Sequence, residues 1–397
     1  MRFFQELAVA VVSLALLASA VDPSIHSRQA QQSLSNALTI HADLSAFNGM
    51  LNSYPSIISN INAGTKNKVT LLVPINDTLA KFLQQFKVSE ITQLPVSQLL
   101  IIFRYRSLDA ALTAANFSGS RGITVPAKLR DELFNLRTPG PAIIDQCGED
   151  AQGQVLFGSP STINPAKFRI RQGTSSDDHT ASLRGGLDQT AEITSIDGVW
   201  DGGYFQSVDA VLEAPAICSA TIKKLSSFLS ALGDALDKMK LRKQLDNTAI
   251  TCLGPNTAAS NEAGSPQISF GNEDFKIALL ESFHILPRAA YSDFLVDGQE
   301  FNSMANVTVR VTLKDNEIWF NDAKVISPNV LTKNGLIHIL DRVMSANALP
   351  NSSTSSPTGT GSATPTSSAT PPNAGNPMSE NIRCAAVIAL AAVVLLI

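Results

Sequence analysis

Apolar and polar positions alternate most cleanly late in the chain, where Val307, Val309, Val311 and Leu313 are separated by Thr308, Arg310 and Thr312. That is the period of a strand with one face buried. Asp315-Asn316 interrupts the pattern and Ile318-Trp319-Phe320 resumes it, which predicts a hairpin. Ala323-Lys324-Val325-Ile326 follows, then a Ser327-Pro328-Asn329 break, Asn334-Gly335 and an apolar run from Leu336 to Val343. The simplest reading is a strand cluster closed by one buried strand. Earlier, Leu225, Phe228, Leu229, Leu232 and Leu236 fall on one face of a predicted amphipathic helix.

The pattern occurs twice. Gly203 to Leu212 reads like Gly335 to Met344: setting Gly203 against Gly335 places Asp209 against Asp341 and Val211 against Val343. The openings of the two stretches also match, Val69-Thr70-Leu71-Leu72-Val73-Pro74 against Ile250-Thr251-Cys252-Leu253-Gly254-Pro255. Two copies of one domain account for this.

The ends of the chain change the picture. Arg2 precedes an uncharged apolar run from Leu7 to Leu17 and the small triplet Ala18-Ser19-Ala20, which predicts a secretory signal peptide over residues 1–20. The last residues, Cys384 to Ile397, are apolar or small and uncharged. A helix of that length rises about 21 Å against a hydrocarbon core of about 30 Å, too short for a span. With Asn373-Ala374-Gly375 and a polar spacer to Arg383 upstream, residues 374–397 have the form of a glycosylphosphatidylinositol (GPI) signal, with Asn373 the expected lipidated residue and Gly375 or Ser379 the alternatives. Between lie residues 350–373, rich in Ser, Thr and Pro and free of charge, with the composition of an O-glycosylated stalk.

Asn-x-Ser/Thr sequons at Asn76, Asn116, Asn306 and Asn351 suit the secretory route. Asn76 follows a strand-like run and precedes a helical one, so its side chain is also expected to cap that helix. The net charge of −4 and pI near 5.8 give no reason to expect nucleic acid as a partner. Without Cys384, the mature chain holds Cys147, Cys218 and Cys252, enough for one disulfide and a leftover thiol. Cys218 opens the helical lead-in of the second copy and Cys252 lies on its first strand, so a Cys218–Cys252 bridge is expected, leaving Cys147.

Candidate chemistry is sparse. Asp177-Asp178-His179 sits among Gly and Ser as a solvated loop would, and His284 and His338 lie in apolar runs, where a hydrogen-bonded core imidazole is the expected state. Asp341 reads as a structural acceptor. No phosphate loop, Gly-x-Ser-x-Gly elbow, His-Glu-x-x-His or paired Cys-x-x-Cys occurs, so no catalytic residue, metal ligand or cofactor is expected.

Asn334 to Val343, preceded by Asn321 to Val325, resembles the second signature of the fasciclin-like (FAS1) adhesion domains. Phe283-His284-Ile285-Leu286-Pro287 is similar to their central Tyr-His motif, and Thr70 to Asn76, with Pro74, to their first signature. The resemblance implies an α+β fold of two tandem domains, residues 38–214 and 216–347, each a β-sandwich or wedge with short packed helices. Its motif residues, Pro74, Asn76, His284, Pro287, Asn334, Gly335, His338 and Asp341, are expected to be structural. The first copy departs: it has Arg104-Tyr105-Arg106 at the central motif, Gln206 where the second has His338, and extra sequence around Pro139 to Gly186. In the second copy Thr257 to Gly271 is small and polar where the family has a helix.

The function implied is non-catalytic adhesion at the outer face of the plasma membrane or the cell wall. The partners would be matrix or wall components or surface proteins of neighbouring cells, with membrane contact through the lipid anchor only. The arrangement resembles fungal surface proteins of this family, although plants also make anchored members. Two alternatives stand beside adhesion: a structural wall protein without a discrete ligand site, and a small-molecule binder or hydrolase using the extra sequence of the first copy.

Overall fold

A computed structural model describes residues 32–62, 68–161, 181–194, 197–238, 240, 242–247, 249–258, 284–304 and 306–344. The fold is α+β. In the first half, β1 (Val69–Pro74), β2 (Ser107–Leu108), β7 (Gly198–Trp200) and β8 (Gly203–Val208) form one sheet in the order β2-β1-β8-β7. A second sheet runs β3 (Ile123–Pro126), β4 (Val155–Pro160), β5 (Ala181–Arg184) and β6 (Thr190–Glu192). In the second half, β9 (Ile250–Pro255), β10 (Ile285–Leu286), β11 (Glu300–Asn302), β12 (Thr308–Lys314), β13 (Glu317–Phe320), β14 (Ala323–Thr332) and β15 (Gly335–Leu340) join in a single sheet, β10-β9-β15-β14-β13-β12-β11.

The centre of each half is a parallel pair. β1 runs beside β8 with Val69 opposite Gly203 and Pro74 opposite Val208, and β9 beside β15 with Ile250 opposite Gly335 and Pro255 opposite Leu340. The inner strands β1, β9 and β15 are buried throughout, which is why they read as continuous apolar runs instead of alternating ones. Both parallel pairs need a glycine at the same point. Gly203 and Gly335 have φ of 141° and 154°, and an added Cβ would sit 2.0 Å from the Val69 carbonyl oxygen and 1.8 Å from that of Ile250.

The halves differ where the sheets meet. β14 is one long strand with bulges at Ser327 and before Val330, and it carries the pairing from β15 to β13. Its first-half counterpart is two short strands, β6 and β7, which belong to separate sheets.

Helices cover the outer faces of the central pairs. Leu229, Leu232 and Leu236 of the helix Ser226–Lys238 pack with Ile250, Cys252 and Ile337. Phe228, expected on that face, is instead 56% exposed, because the helix is kinked at Leu229 (φ −124°) and the turn before it is rotated away. In the first half Phe47, Met50, Phe82, Leu99 and Phe103 pack on Leu71, Val73 and Phe205.

The extra sequence of the first copy falls in two places. The excursion from Ala127 to Gln154 between β3 and β4 replaces a short turn between β11 and β12, and carries the helix Pro141–Cys147. The remainder, with Asp177-Asp178-His179, lies outside the described residues, as do the expected signal peptide, Asn351, the stalk, Asn373 and the GPI signal. All but the start of Thr257 to Gly271 lies outside them too.

Candidate functional site

His338 projects from β15 and is fully buried. Its Nε2 lies 2.8 Å from the Ala290 carbonyl and its Nδ1 accepts the Asn329 N–H at 3.3 Å, which makes Nε2–H the donor of a neutral ring. Phe320 packs against the ring, centroids 5.4 Å apart. Burial pulls the imidazole pKa down to about 4, against the pull of Ala290 and with Arg184 adding to the lowering.

The bonds continue outward. Asn329, held at φ 52° in the bulge of β14, accepts the Ser292 N–H through Oδ1 at 3.0 Å and donates from Nδ2 to the Ser292 hydroxyl. Thr251 Oγ1 donates to Arg288 O and accepts from Ala290 N. His338 therefore clips three elements together: β15, the bulge of β14 and the segment after β10.

The first half builds the same clip with different residues. Thr70 Oγ1 donates to Ala110 O and accepts from Leu112 N, as Thr251 does with Arg288 and Ala290. Gln206, in the place of His338, donates from Nε2 to Leu112 O at 3.3 Å and accepts the Asp197 N–H through Oε1 at 3.2 Å. Asp197, at φ 45°, stands where Asn329 does and accepts the Ala114 N–H at 2.7 Å. The exchange of His for Gln thus keeps one donor and one acceptor at the same points.

The two aspartates also correspond. Asp341 Oδ1 accepts the Lys324 N–H at 2.8 Å, and Asp209 Oδ1 accepts the Glu192 N–H at 2.7 Å. Asn334 donates to Leu245 O from Nδ2. His284, buried beside β10, accepts the Met344 N–H at 3.2 Å through Nε2, and Pro287 stands exposed just beyond. Pro74 ends β1 opposite Val208.

Arg106 occupies the place of His284 in the first half. It is buried with its guanidinium carbon 5.9 Å from the centre of the Phe82 ring, and its Nε and Nη2 reach no partner among the described residues. Burial lowers its pKa to about 9, opposed by the charge of Glu213.

Where the halves meet, they share a core and a set of bonds. Ile143, Cys147, Ala151, Val155 and Phe157 from the first pack with Tyr291, Leu331 and Leu336 from the second. Thr124 donates through N and Oγ1 to the Asp293 carboxylate at 2.7 Å each, and Arg121 donates to Ser292 O at 2.7 Å. Leu136 N donates to Lys333 O at 2.9 Å, and Arg184 reaches Pro328 O. Among the described residues, no group of three or more His, Cys, Asp or Glu is placed to hold a metal, and no helix is long and apolar enough to cross a membrane.

Comparison with known proteins matches part of the chain to a family. Residues 227–346, which hold the His338 clip and Asp341, match the model of the fasciclin domain. Over these residues the chain is similar to the fasciclin domain. A fasciclin-like arabinogalactan protein of Arthroderma benhamiae is 26% identical over 210 residues, covering 50% of this chain and 47% of that protein, so the chain matches about half of its length. Fasciclin-like arabinogalactan protein elcF of Phaeosphaeria nodorum is 22% identical over 329 residues, 82% of this chain and 92% of that one. Among solved structures, the FAS1 domain pair of the insect cell adhesion molecule Fasciclin I is 17% identical, with a TM-score of 0.32, covering 75% of this chain and 95% of that chain.

In this chain the sequons differ in environment. Asn76 is the first residue of the helix Asn76–Gln85 and does not cap it; the cap position falls to Ile75. Its side chain instead caps the helix Ser45–Ser53, accepting the Ala46 N–H at 3.0 Å and donating to Ala42 O and Ser45 Oγ. Both amide hydrogens are thereby used. Asn116 accepts from Thr113 through Oδ1, and Asn306 is exposed in a turn at φ 62°.

The expected Cys218–Cys252 bridge is not formed. The two residues are buried neighbours but remain free thiols, hydrogen-bonded to one another. That bond and burial push the Cys218 thiol well above its ordinary pKa. Cys147 is buried at the end of the helix Pro141–Cys147, in a different part of the core.

Proposed function

We propose that this fasciclin-like chain is a cell-surface or cell-wall glycoprotein of the adhesion type that works through its folded surface and not through catalysis. The observation that carries the reading is the use made of the motif side chains. His338, Asn334 and Asp341, with Gln206 and Asp209 in the first half, bond to main-chain groups that hold strands together. A catalytic group would have to keep a lone pair or proton directed at a substrate; these are committed to the scaffold. The names of the fungal relatives, fasciclin-like arabinogalactan proteins, support a wall-associated glycoprotein.

The finer reading is two tandem domains, residues 38–214 and 216–347, exported by the signal peptide and raised from the membrane on the 350–373 stalk. The GPI anchor at Asn373 holds them there, and matrix or wall components or neighbouring surface proteins are the partners. Treating intact cells with a phosphatidylinositol-specific phospholipase tests it: release of the protein is expected. Retention, with recovery of the Val387–Ile397 peptide from the mature chain, overturns the anchor. A structural wall role without a discrete ligand site is favoured instead if binding to purified wall material disappears on deglycosylation, since the stalk composition would then account for it.

A further inference from the structure

We propose that the junction of the two halves is a binding site for a planar aromatic small molecule bearing one acidic oxygen group, a carboxylate or a phenolate. A cavity of about 530 Å³ opens there, within the roughly 300–1,000 Å³ common for small-molecule sites, which favour interfaces between domains. One wall is Pro139 and Pro141 of the first-half excursion; the other is Tyr291, Phe294 and Phe301 of the second half. Flat, rigid and apolar, these walls suit a ring system, and they offer few polar groups to replace the water lost by the hydroxyls of a sugar.

Charge decides the rest. Arg288 is the one cation lining the cavity, is exposed, and forms no salt bridge among the described residues. Its guanidinium carbon stands 5.4 Å from the centre of the Phe301 ring, so the cation is held over an aromatic face with its N–H edge free to fork an acidic oxygen group. The frame is already built. Leu136 to Lys333 bonds the excursion to the second half, and Thr124 to Asp293 and Arg121 to Ser292 bond β3 and the residues before it to the second half, so little ordering remains to oppose binding. The site goes beyond the adhesion reading and does not depend on it.

Titration calorimetry on the mature chain tests the proposal with 2-naphthoate, its neutral analogue 2-naphthamide, and phenyl β-glucoside. Naphthoate should bind saturably, one molecule per chain, and about tenfold more tightly than the amide, as for the loss of one charge-assisted contact. Arg288→Gln should remove that preference. Ala142→Trp, at an exposed position on the rim, should block naphthoate while leaving the melting temperature unchanged. Absence of saturable naphthoate binding overturns the proposal, as does equal or tighter binding of the glucoside. So does naphthoate binding that is indifferent to both substitutions.

Discussion

Replacing His338 by Gln should be nearly silent at neutral pH, while replacing it by Ala should not. The Ala variant leaves the Ala290 carbonyl and the Asn329 N–H buried without partners and removes the ring that packs on Phe320. At about 1–3 kcal/mol for each unpaired group, and with the Asn329 bond at the long end of the range, the loss is about 3 kcal/mol. Gln restores both contacts, as Gln206 does in the first half, and should cost less than about 1 kcal/mol. The pH dependence separates the variants again. Because the folded imidazole titrates near 4, below its ordinary 6.5, its contribution is complete above pH 6.5 and is lost as pH falls through 4. That loss approaches about 3 kcal/mol at about 1.4 kcal/mol per unit. Gln has nothing to titrate, so with a cost below about 1 kcal/mol it should overtake the wild type by about pH 5.5 and lead clearly at pH 4. Urea unfolding at pH 7 and pH 4, read by hydrogen exchange of β15 peptides, provides the assay. Equal damage from Gln and Ala at pH 7, or a wild-type–Gln gap that is constant with pH, would refute the reasoning.

Asp293 should act in the opposite sense. Burial raises its carboxyl to about 6 despite the Thr124 hydrogen bonds and Arg121, so its contribution is present below about pH 4 and is lost as pH rises through 6. The advantage of wild type over Asp293→Asn in melting temperature should therefore shrink between pH 4 and pH 7; a widening gap contradicts this. Arg106→Met should stabilise the chain by about 1–3 kcal/mol in urea, because it replaces a buried cation lacking hydrogen-bond partners at two nitrogens with an apolar side chain of similar length. Destabilisation would mean that the guanidinium is bound. Glycopeptide mapping should find sugar on Asn116 and Asn306 and none on Asn76, whose amide hydrogens are committed to Ala42 and Ser45; a glycan on Asn76 would show that this cap does not form.

The parts of the fold visible in the sequence are those set by local pattern. The hairpin of β12 and β13 follows from alternation and from Asp315-Asn316, which take φ of 53° and 63° in the turn. The match of Gly203 with Gly335 and Asp209 with Asp341 was readable because a tight parallel pair permits only glycine there, and because the same carboxylate bond recurs in each half. Long-range partnership was not readable. Gln206 looks like a lost motif residue until Leu112, far along the chain, is seen to occupy the place of Ala290. Asn76 carries the sequence of a cap for its own helix but serves another, since the Ala46 N–H is delivered by tertiary packing. The stretch around Pro139 reads only as extra sequence; that Ile143 and Cys147 pack against Tyr291 depends on how the halves dock, which no local pattern encodes.

The central claim, that the motif residues serve the scaffold and binding belongs to the folded surface, is tested most directly by measuring binding and melting together. Wild type, His338→Gln, His338→Ala and Asp341→Ala, each as the full mature chain, would be titrated against purified wall material at several temperatures below and through each melting transition. The account predicts that every variant binds like wild type at temperatures where it is folded and loses binding in step with its own melting curve. A variant that keeps the wild-type melting temperature yet fails to bind would contradict it, and would place a functional site at that residue.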